Sequence, residues 1–261
     1  MGYITLRAIG RIAFYFSVTL IISGCGSFHK NDRILIIVSN VENMGDPQEH
    51  FAGNNLWEVA PPYHIFVSHG YDVDFMSPTG GVVPFSMDPM GISSYTIKYE
   101  NFNEKVRSSL IPSEVNPEDY SAVFIGGGYG PLFDVSEDNK IQEIIAKIYE
   151  SNGVVGGCGH GPGAFANVKL SDGSFMVSGK TVVGFPNSTE ETKNWAKNGT
   201  LLPYKVEDQL RKHGALFKSK EELNDKADVI VNQRIVSTMF LPSAAIVAKE
   251  MINSIEKRAV N

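Results

Sequence analysis

The chain has little cysteine. Among 261 residues it carries only Cys25 and Cys158, far apart and in very different surroundings. This excludes a disulfide framework and a cysteine-based metal site. The six histidines show no metal-ligand spacing either, so no metal is predicted. An excess of positive charge is also missing, with 23 basic against 29 acidic side chains. Nucleic acid is therefore not an expected partner.

The N-terminal apolar run is too short to be a permanent membrane span. It covers residues 12–22, whereas a bilayer requires roughly 20 apolar residues. Arg7 and Arg11 precede the run and Ser23 and Gly24 follow it, which is the order of charged, apolar and small residues found in secretory signals. Residues 22–25 read Ile-Ser-Gly-Cys and resemble the bacterial lipobox, whose cysteine receives a lipid. The alternative is an ordinary signal peptide that leaves an unused thiol at Cys25.

These features predict three regions. Residues 1–24 form a lipoprotein signal peptide, residues 25–32 a tether that begins at the acylated Cys25, and residues 33–261 the folded domain. Two or three acyl chains would hold the domain on a membrane surface. The predicted location is the cell envelope, with the protein anchored to a membrane and facing the extracytoplasmic side.

The remaining chain contains 25 glycines, and 43% of all side chains are hydrophobic, which is enough for a large core. Short apolar runs predict strands at residues 34–38, 71–76, 122–125, 154–155 and 229–231. Helical stripes lie between and after them: one follows Ser136 as the N-cap, and another covers residues 244–255. Alternating strands and helices predict one α/β domain, a three-layer sandwich with a mostly parallel sheet.

A glycine-rich turn at residues 156–162 follows one of these strands and leads into a helix that begins near Pro162. Such a strand, turn and helix hold a nucleophile at the carboxyl edge of an α/β sheet. With this turn, four further segments in order resemble the ThiJ/PfpI superfamily, and specifically its branch of glutathione-independent glyoxalase III and heat-shock-chaperone-like proteins. The four are residues 57–63, 77–89, 126–134 and 166–180.

The resemblance implies a flavodoxin-like, class I glutamine amidotransferase-like fold. It also implies a site made of Glu58, a nucleophilic cysteine and His160, with backbone amides at Gly128 and His160 as oxyanion donors. The small-molecule substrate would be a 2-oxoaldehyde such as methylglyoxal, no cofactor is required, and a homodimer is compatible with the family. Tyr129 stands where the family has a histidine in its turn and is interpreted as a pocket wall.

The sequence departs from the family at the nucleophile. Aligned without a gap, the family cysteine falls on Gly159, and the only nearby thiol, Cys158, lies one residue earlier. Strand side chains alternate between faces, so this offset directs Cys158 away from the site. Two interpretations remain open. Either the nucleophile is lost, or the glycines at 156–159 let the backbone shift so that Cys158 reaches the elbow.

Each interpretation predicts a function. Without the nucleophile, the chain is a lipid-anchored pseudoenzyme, a degenerate relative of glyoxalase III that acts in binding or stress protection, with a pocket formed by Gly128, Tyr129 and Gly159. With a shifted Cys158, it is an active lyase that converts 2-oxoaldehydes to 2-hydroxy acids. In that case Cys158, His160 and Glu58 are the catalytic residues.

Overall fold

The structure is a computed structural model that describes residues 33–86, 101–193, 201–218 and 228–259. The predicted signal peptide, Cys25 and the tether lie outside the described residues. The strands are β1 (Arg33–Ile37), β2 (Asn54–Asn55), β3 (Asp72–Met76), β4 (Phe85–Ser86), β5 (Ala122–Ile125), β6 (Val154–Cys158), β7 (Val229–Asn232) and β8 (Ile235–Thr238). The α-helices are α1 (Leu56–Ser68), α2 (Phe102–Arg107), α3 (Asn139–Glu150), α4 (Gly161–Phe165), α5 (Asn187–Glu190), α6 (Val206–Lys212) and α7 (Ala244–Ala259).

Six of the strands form the central sheet, in the order β3-β1-β5-β6-β8-β7. All neighbouring pairs are parallel except β7 with β8, which are antiparallel. Strands β2 and β4 form a separate two-stranded parallel sheet. The prediction of an α/β domain with a mostly parallel sheet is confirmed.

Helices cover both faces of the central sheet, so its inner strands are buried on both sides. Alternate residues of β1 enter different cores: Ile34 and Ile36 pack with α1 and α7, whereas Leu35 and Ile37 pack with α3, α4 and α6. This explains why β1 is a continuous apolar run and does not alternate between apolar and polar residues. Among the described residues, no helix is long and apolar enough to cross a membrane.

Two details of the predicted elements are wrong. Helix α3 begins after Asp138 and not after Ser136, because the Asp138 carboxylate accepts hydrogen bonds from the backbone N–H groups of Lys140 and Ile141. The Ser136 hydroxyl instead donates to the carbonyl of Leu132. The predicted strand at residues 154–155 continues to Cys158, since glycines 156 and 157 pair with β5 and β8.

Candidate functional site

The polypeptide turns sharply where β6 ends. Cys158 is the last residue of the strand, Gly159 has a φ of +56°, and His160 precedes α4. A positive φ favours glycine, because a β-carbon in this conformation meets the following carbonyl. The turn thus retains the conformation of a nucleophile elbow, and Gly159 occupies the position from which a nucleophile would project.

Glu58 reaches this elbow from the first turn of α1. The N-cap of the helix is Asn55, whose side chain accepts a hydrogen bond from the backbone N–H of Trp57. The Glu58 carboxyl then lies between two glycines. A β-carbon built on Gly127 would be 1.5 Å from Oε2, and one built on Gly159 would be 2.6 Å from Oε1. Glycine at both positions is therefore what makes room for the carboxyl group.

The Glu58 side chain is almost completely buried, with 2% of the residue exposed. Burial raises the pKa of Glu58 to about 8. A hydrogen bond from the backbone N–H of Gly127 lowers this pKa, but by less than burial raises it. Within the described part of the chain, Oε2 has no hydrogen-bond partner. Near neutral pH the group is therefore mostly a neutral carboxylic acid that can donate a hydrogen bond.

The Cys158 side chain points into the apolar core. It is fully buried and belongs to the apolar core between the sheet, α1 and α7. The Sγ atom is 3.7 Å from the backbone carbonyl oxygen of Glu58. Burial, with a smaller contribution from the charge of Glu58, raises the pKa of the Cys158 thiol well above its ordinary value. Such a thiol is neither exposed nor ionised, which are the two properties that make a cysteine reactive.

His160 is held by a buried acid that the sequence analysis did not select. Its Nε2 atom lies 2.7 Å from the Glu190 carboxylate, and both side chains are buried. The Tyr129 hydroxyl donates a hydrogen bond to the same carboxylate. The His160 ring also contacts two aromatic rings, those of Tyr129 and Phe185, each with a centroid separation of 4.3 Å. The imidazole is thus fixed in orientation.

A cavity of about 300 Å³ opens beside these groups. Its lining is formed by Phe51, Ala52, Asn55, Glu58, Ser86, Gly128, Tyr129, His160, Phe185, Lys193 and Leu241. The backbone N–H groups of Gly128 and His160 have no acceptor among the residues that the structure describes. Two unpaired N–H groups beside one cavity can hold a carbonyl or enolate oxygen.

The structure therefore brings Glu58, Gly128, Tyr129 and His160 to one cavity at the carboxyl ends of β5 and β6. Gly159 faces the Glu58 carboxyl, whereas Cys158 does not line the cavity. Within the described ranges, no group of three or more His, Cys, Asp or Glu residues is arranged to hold a metal ion.

The site could be found only in part from residue types. Glu190 is 30 residues from His160 along the chain and stands beside a second glutamate, Glu191, which is exposed. A signal was present, because the pair Glu190-Glu191 continues the resemblance to the ThiJ/PfpI superfamily beyond residue 180. The contact of Glu190 with His160, however, exists only once the chain between them has folded.

An elbow at the carboxyl edge of a parallel sheet, with a cavity above it, is typical of α/β proteins that bind or transform small molecules. The family model that matches the chain is DJ-1/PfpI, over residues 50–198, which is more than half of the chain. The chain belongs to the DJ-1/PfpI family.

The chain is similar to proteins that are named as glyoxalases. The chain is 29% identical over 201 residues to the glutathione-independent glyoxalase HSP31 of Saccharomyces cerevisiae, covering 71% of this chain and 82% of that protein. It is 28% identical over 210 residues to glyoxalase 3 of Candida albicans, covering 76% and 88%. The solved structure of the Francisella tularensis Rapid Encystment Protein 24 kDa has a TM-score of 0.75 at 26% identity, covering 85% of this chain and 98% of that one.

Proposed function

We propose that this chain is a glyoxalase III-like protein that binds small 2-oxoaldehydes in the cavity beside Glu58, without a covalent step through one of its own cysteines. The observation that carries the proposal is the combination of a buried, largely neutral carboxyl at Glu58 with the unpaired N–H groups of Gly128 and His160. A 2-oxoaldehyde has two adjacent carbonyl oxygens. The N–H groups would hold one of them, and the Glu58 acid would donate to the other.

The position of Cys158 argues against covalent catalysis by the chain. A thiol must reach the carbonyl carbon, and Cys158 is fully buried in the apolar core and does not line the cavity. Its raised pKa leaves almost no thiolate near neutral pH. Binding without covalent turnover is therefore the function that the geometry favours.

The test is calorimetric titration with methylglyoxal and with hydroxyacetone, which has the same carbon skeleton but no aldehyde. We expect both to bind, and Glu58→Leu to raise the Kd at least about tenfold, since it removes one hydrogen bond to a buried ligand oxygen. Glu143→Gln, on the exposed face of α3, serves as the control and should bind like the wild type. Absence of binding by the wild-type protein would contradict the proposal.

A second candidate is the cysteine-dependent lyase, and the names of the relatives favour it: they are glutathione-independent glyoxalases. Cys158 would then have to leave its apolar core and attack the aldehyde carbon, and Glu58 would move the proton before the thioester hydrolyses. The assay is lactate formation from methylglyoxal without added thiol. Wild-type turnover that is abolished in Cys158→Ala would establish this function. No turnover, or turnover that survives the substitution, would exclude it.

We also propose that the protein is anchored to the cell envelope through a lipid on Cys25. The support is the Ile-Ser-Gly-Cys sequence after a charged and then apolar N-terminal stretch. Wild-type protein should incorporate labelled palmitate and partition into membranes, and Cys25→Ser should do neither. Equal membrane partitioning of the two proteins would contradict the anchor.

A further inference from the structure

The site contains the groups that would assist a nucleophilic thiol but, among the residues that the structure describes, it contains no thiol. The acid Glu58, the two N–H donors and the oriented His160 all meet at the cavity, while Gly159 stands at the elbow position. Cys158 is the only cysteine among the described residues, and it is buried elsewhere. The Glu58 carboxyl lies so close to Gly159 that a β-carbon there would be 2.6 Å from Oε1. None of the described residues therefore supplies a thiol to this cavity.

We propose that the cavity accepts the hemithioacetal formed by a 2-oxoaldehyde and a small free thiol, and that Glu58 isomerises it to the thioester of a 2-hydroxy acid. The inference rests on the proposed function, because it uses the same cavity and the same carbonyl compound. It adds the second substrate, a thiol, and a reaction that needs no nucleophile on the protein.

The isomerisation of the hemithioacetal needs neither an oxidant nor a cofactor. In solution the thiol sulfur adds to the aldehyde carbon and its proton passes to the aldehyde oxygen, which gives the hemithioacetal. In the site the Glu58 carboxylate removes the hydrogen on that carbon as a proton, and the electron pair forms the carbon–carbon double bond of an enediolate. The negative oxygen is stabilised by the N–H groups of Gly128 and His160.

Glu58 then returns its proton to the neighbouring carbon. The hydroxyl on the sulfur-bearing carbon becomes a carbonyl as its proton passes to the enediolate oxygen. The product is the thioester of the 2-hydroxy acid, an isomer of the hemithioacetal. Hydrolysis by water after release regenerates the thiol and frees the acid, so the thiol is not consumed overall.

The size of the cavity restricts the thiol. A volume of about 300 Å³ is at the lower end of what ligand sites offer. The side chains of Phe51, Phe185 and Leu241 occupy part of the lining, beside polar groups such as Ser86 and Lys193. The geometry therefore points to a thiol of a few heavy atoms, such as 2-mercaptoethanol, and against a tripeptide thiol such as glutathione.

The experiment measures thioester formation by its ultraviolet absorbance when methylglyoxal and 2-mercaptoethanol are mixed with the full chain in the presence of a metal chelator. We expect a rate that saturates with hemithioacetal concentration. Glu58→Gln should lower it by about 10²- to 10⁴-fold, the usual effect of removing a general base. Glu143→Gln should match the wild type, and glutathione should give a smaller kcat/KM than 2-mercaptoethanol.

Three results would overturn the inference: no thioester above the protein-free rate, a rate that Glu58→Gln leaves unchanged, or a rate that Cys158→Ala abolishes. The calorimetric titration separates this failure from that of the proposed function. A protein that binds hydroxyacetone and forms no thioester retains the binding function and loses only the thiol reaction. A protein that does not bind hydroxyacetone loses the proposed function as well.

Discussion

Replacing Glu58 by glutamine should make the folded protein more stable, and the gain should grow with pH. The pKa of Glu58 is about 8 in the folded chain, against an ordinary value of 4.5. The folded state therefore holds a proton that the unfolded state has released between these two values. Because the folded state binds more protons there, the free energy of unfolding falls as the pH rises from about 4.5 and stops falling above about 8.

The size of the effect follows from the two pKa values. At about 1.4 kcal/mol for each tenfold change in acidity, the wild type loses about 3 kcal/mol of unfolding free energy by pH 7 and about 5 kcal/mol by pH 9, relative to pH 4. Glutamine has the shape of the protonated acid and does not titrate. Glu58→Gln should therefore equal the wild type near pH 4 and exceed it by about 3 kcal/mol at pH 7.

The assay is urea unfolding at pH 4, 7 and 9, followed by tryptophan fluorescence and circular dichroism and analysed by linear extrapolation. Glu143→Gln is the matched control, because it makes the same chemical change on the exposed face of α3. It should follow the wild type at every pH. If Glu58→Gln and the wild type differed by less than about 1 kcal/mol at pH 9, the carboxyl would not be held neutral by burial.

Three further substitutions test the site. Gly159→Ala should cost about 1–2 kcal/mol of unfolding free energy and weaken ligand binding, because it places a β-carbon at positive φ against the Glu58 carboxyl; unchanged urea unfolding and titration would contradict this. Glu190→Ala should cost about 3 kcal/mol, since it leaves the buried His160 without its carboxylate, and a loss below about 1 kcal/mol would show that the pair is unimportant. Cys158→Ala should cost about 1–2 kcal/mol through a small cavity in the core and leave the hydroxyacetone Kd unchanged; a changed Kd would place the thiol at the ligand.

Much of the fold follows from local patterns. The continuous apolar runs of β1 and β5 are strong signals, because both faces of these strands are buried and no polar residue interrupts them. The ends of elements are harder to predict. Ser136 and Asp138 are both N-cap residues by type, and the choice depends on whether the serine hydroxyl is already committed to the carbonyl of Leu132.

The elbow was predictable because it is local, and the acid at Glu190 was not. The gapless alignment of residues 156–160 with the family turn, and the alternation of side chains along the strand, involve only a few consecutive residues. The displacement of Cys158 by one residue from the nucleophile position therefore follows from the sequence. The contact between His160 and Glu190 joins two segments separated by 30 residues. The Glu190-Glu191 pair continues the family resemblance, but residue type alone does not tell which of the two glutamates is the buried partner of an imidazole. The elevated pKa of Glu58 likewise depends on burial in the folded chain.

The protonation of Glu58 separates the two activities assigned to its cavity. Binding of a 2-oxoaldehyde uses the neutral acid as a hydrogen-bond donor, which requires a pH below about 8, whereas isomerisation of a hemithioacetal requires the carboxylate. Burial, with a contribution from the charge of this carboxyl, raises the pKa values of Cys158 and Tyr129 above their ordinary values, so both groups stay neutral while Glu58 titrates. The kcat/KM for thioester formation, at a fixed hemithioacetal concentration, should therefore rise tenfold per pH unit and level off near pH 8, while hydroxyacetone binding weakens over the same range. If the kcat/KM for thioester formation and the affinity for hydroxyacetone changed in the same direction with pH, Glu58 would not be both the hydrogen-bond donor and the general base.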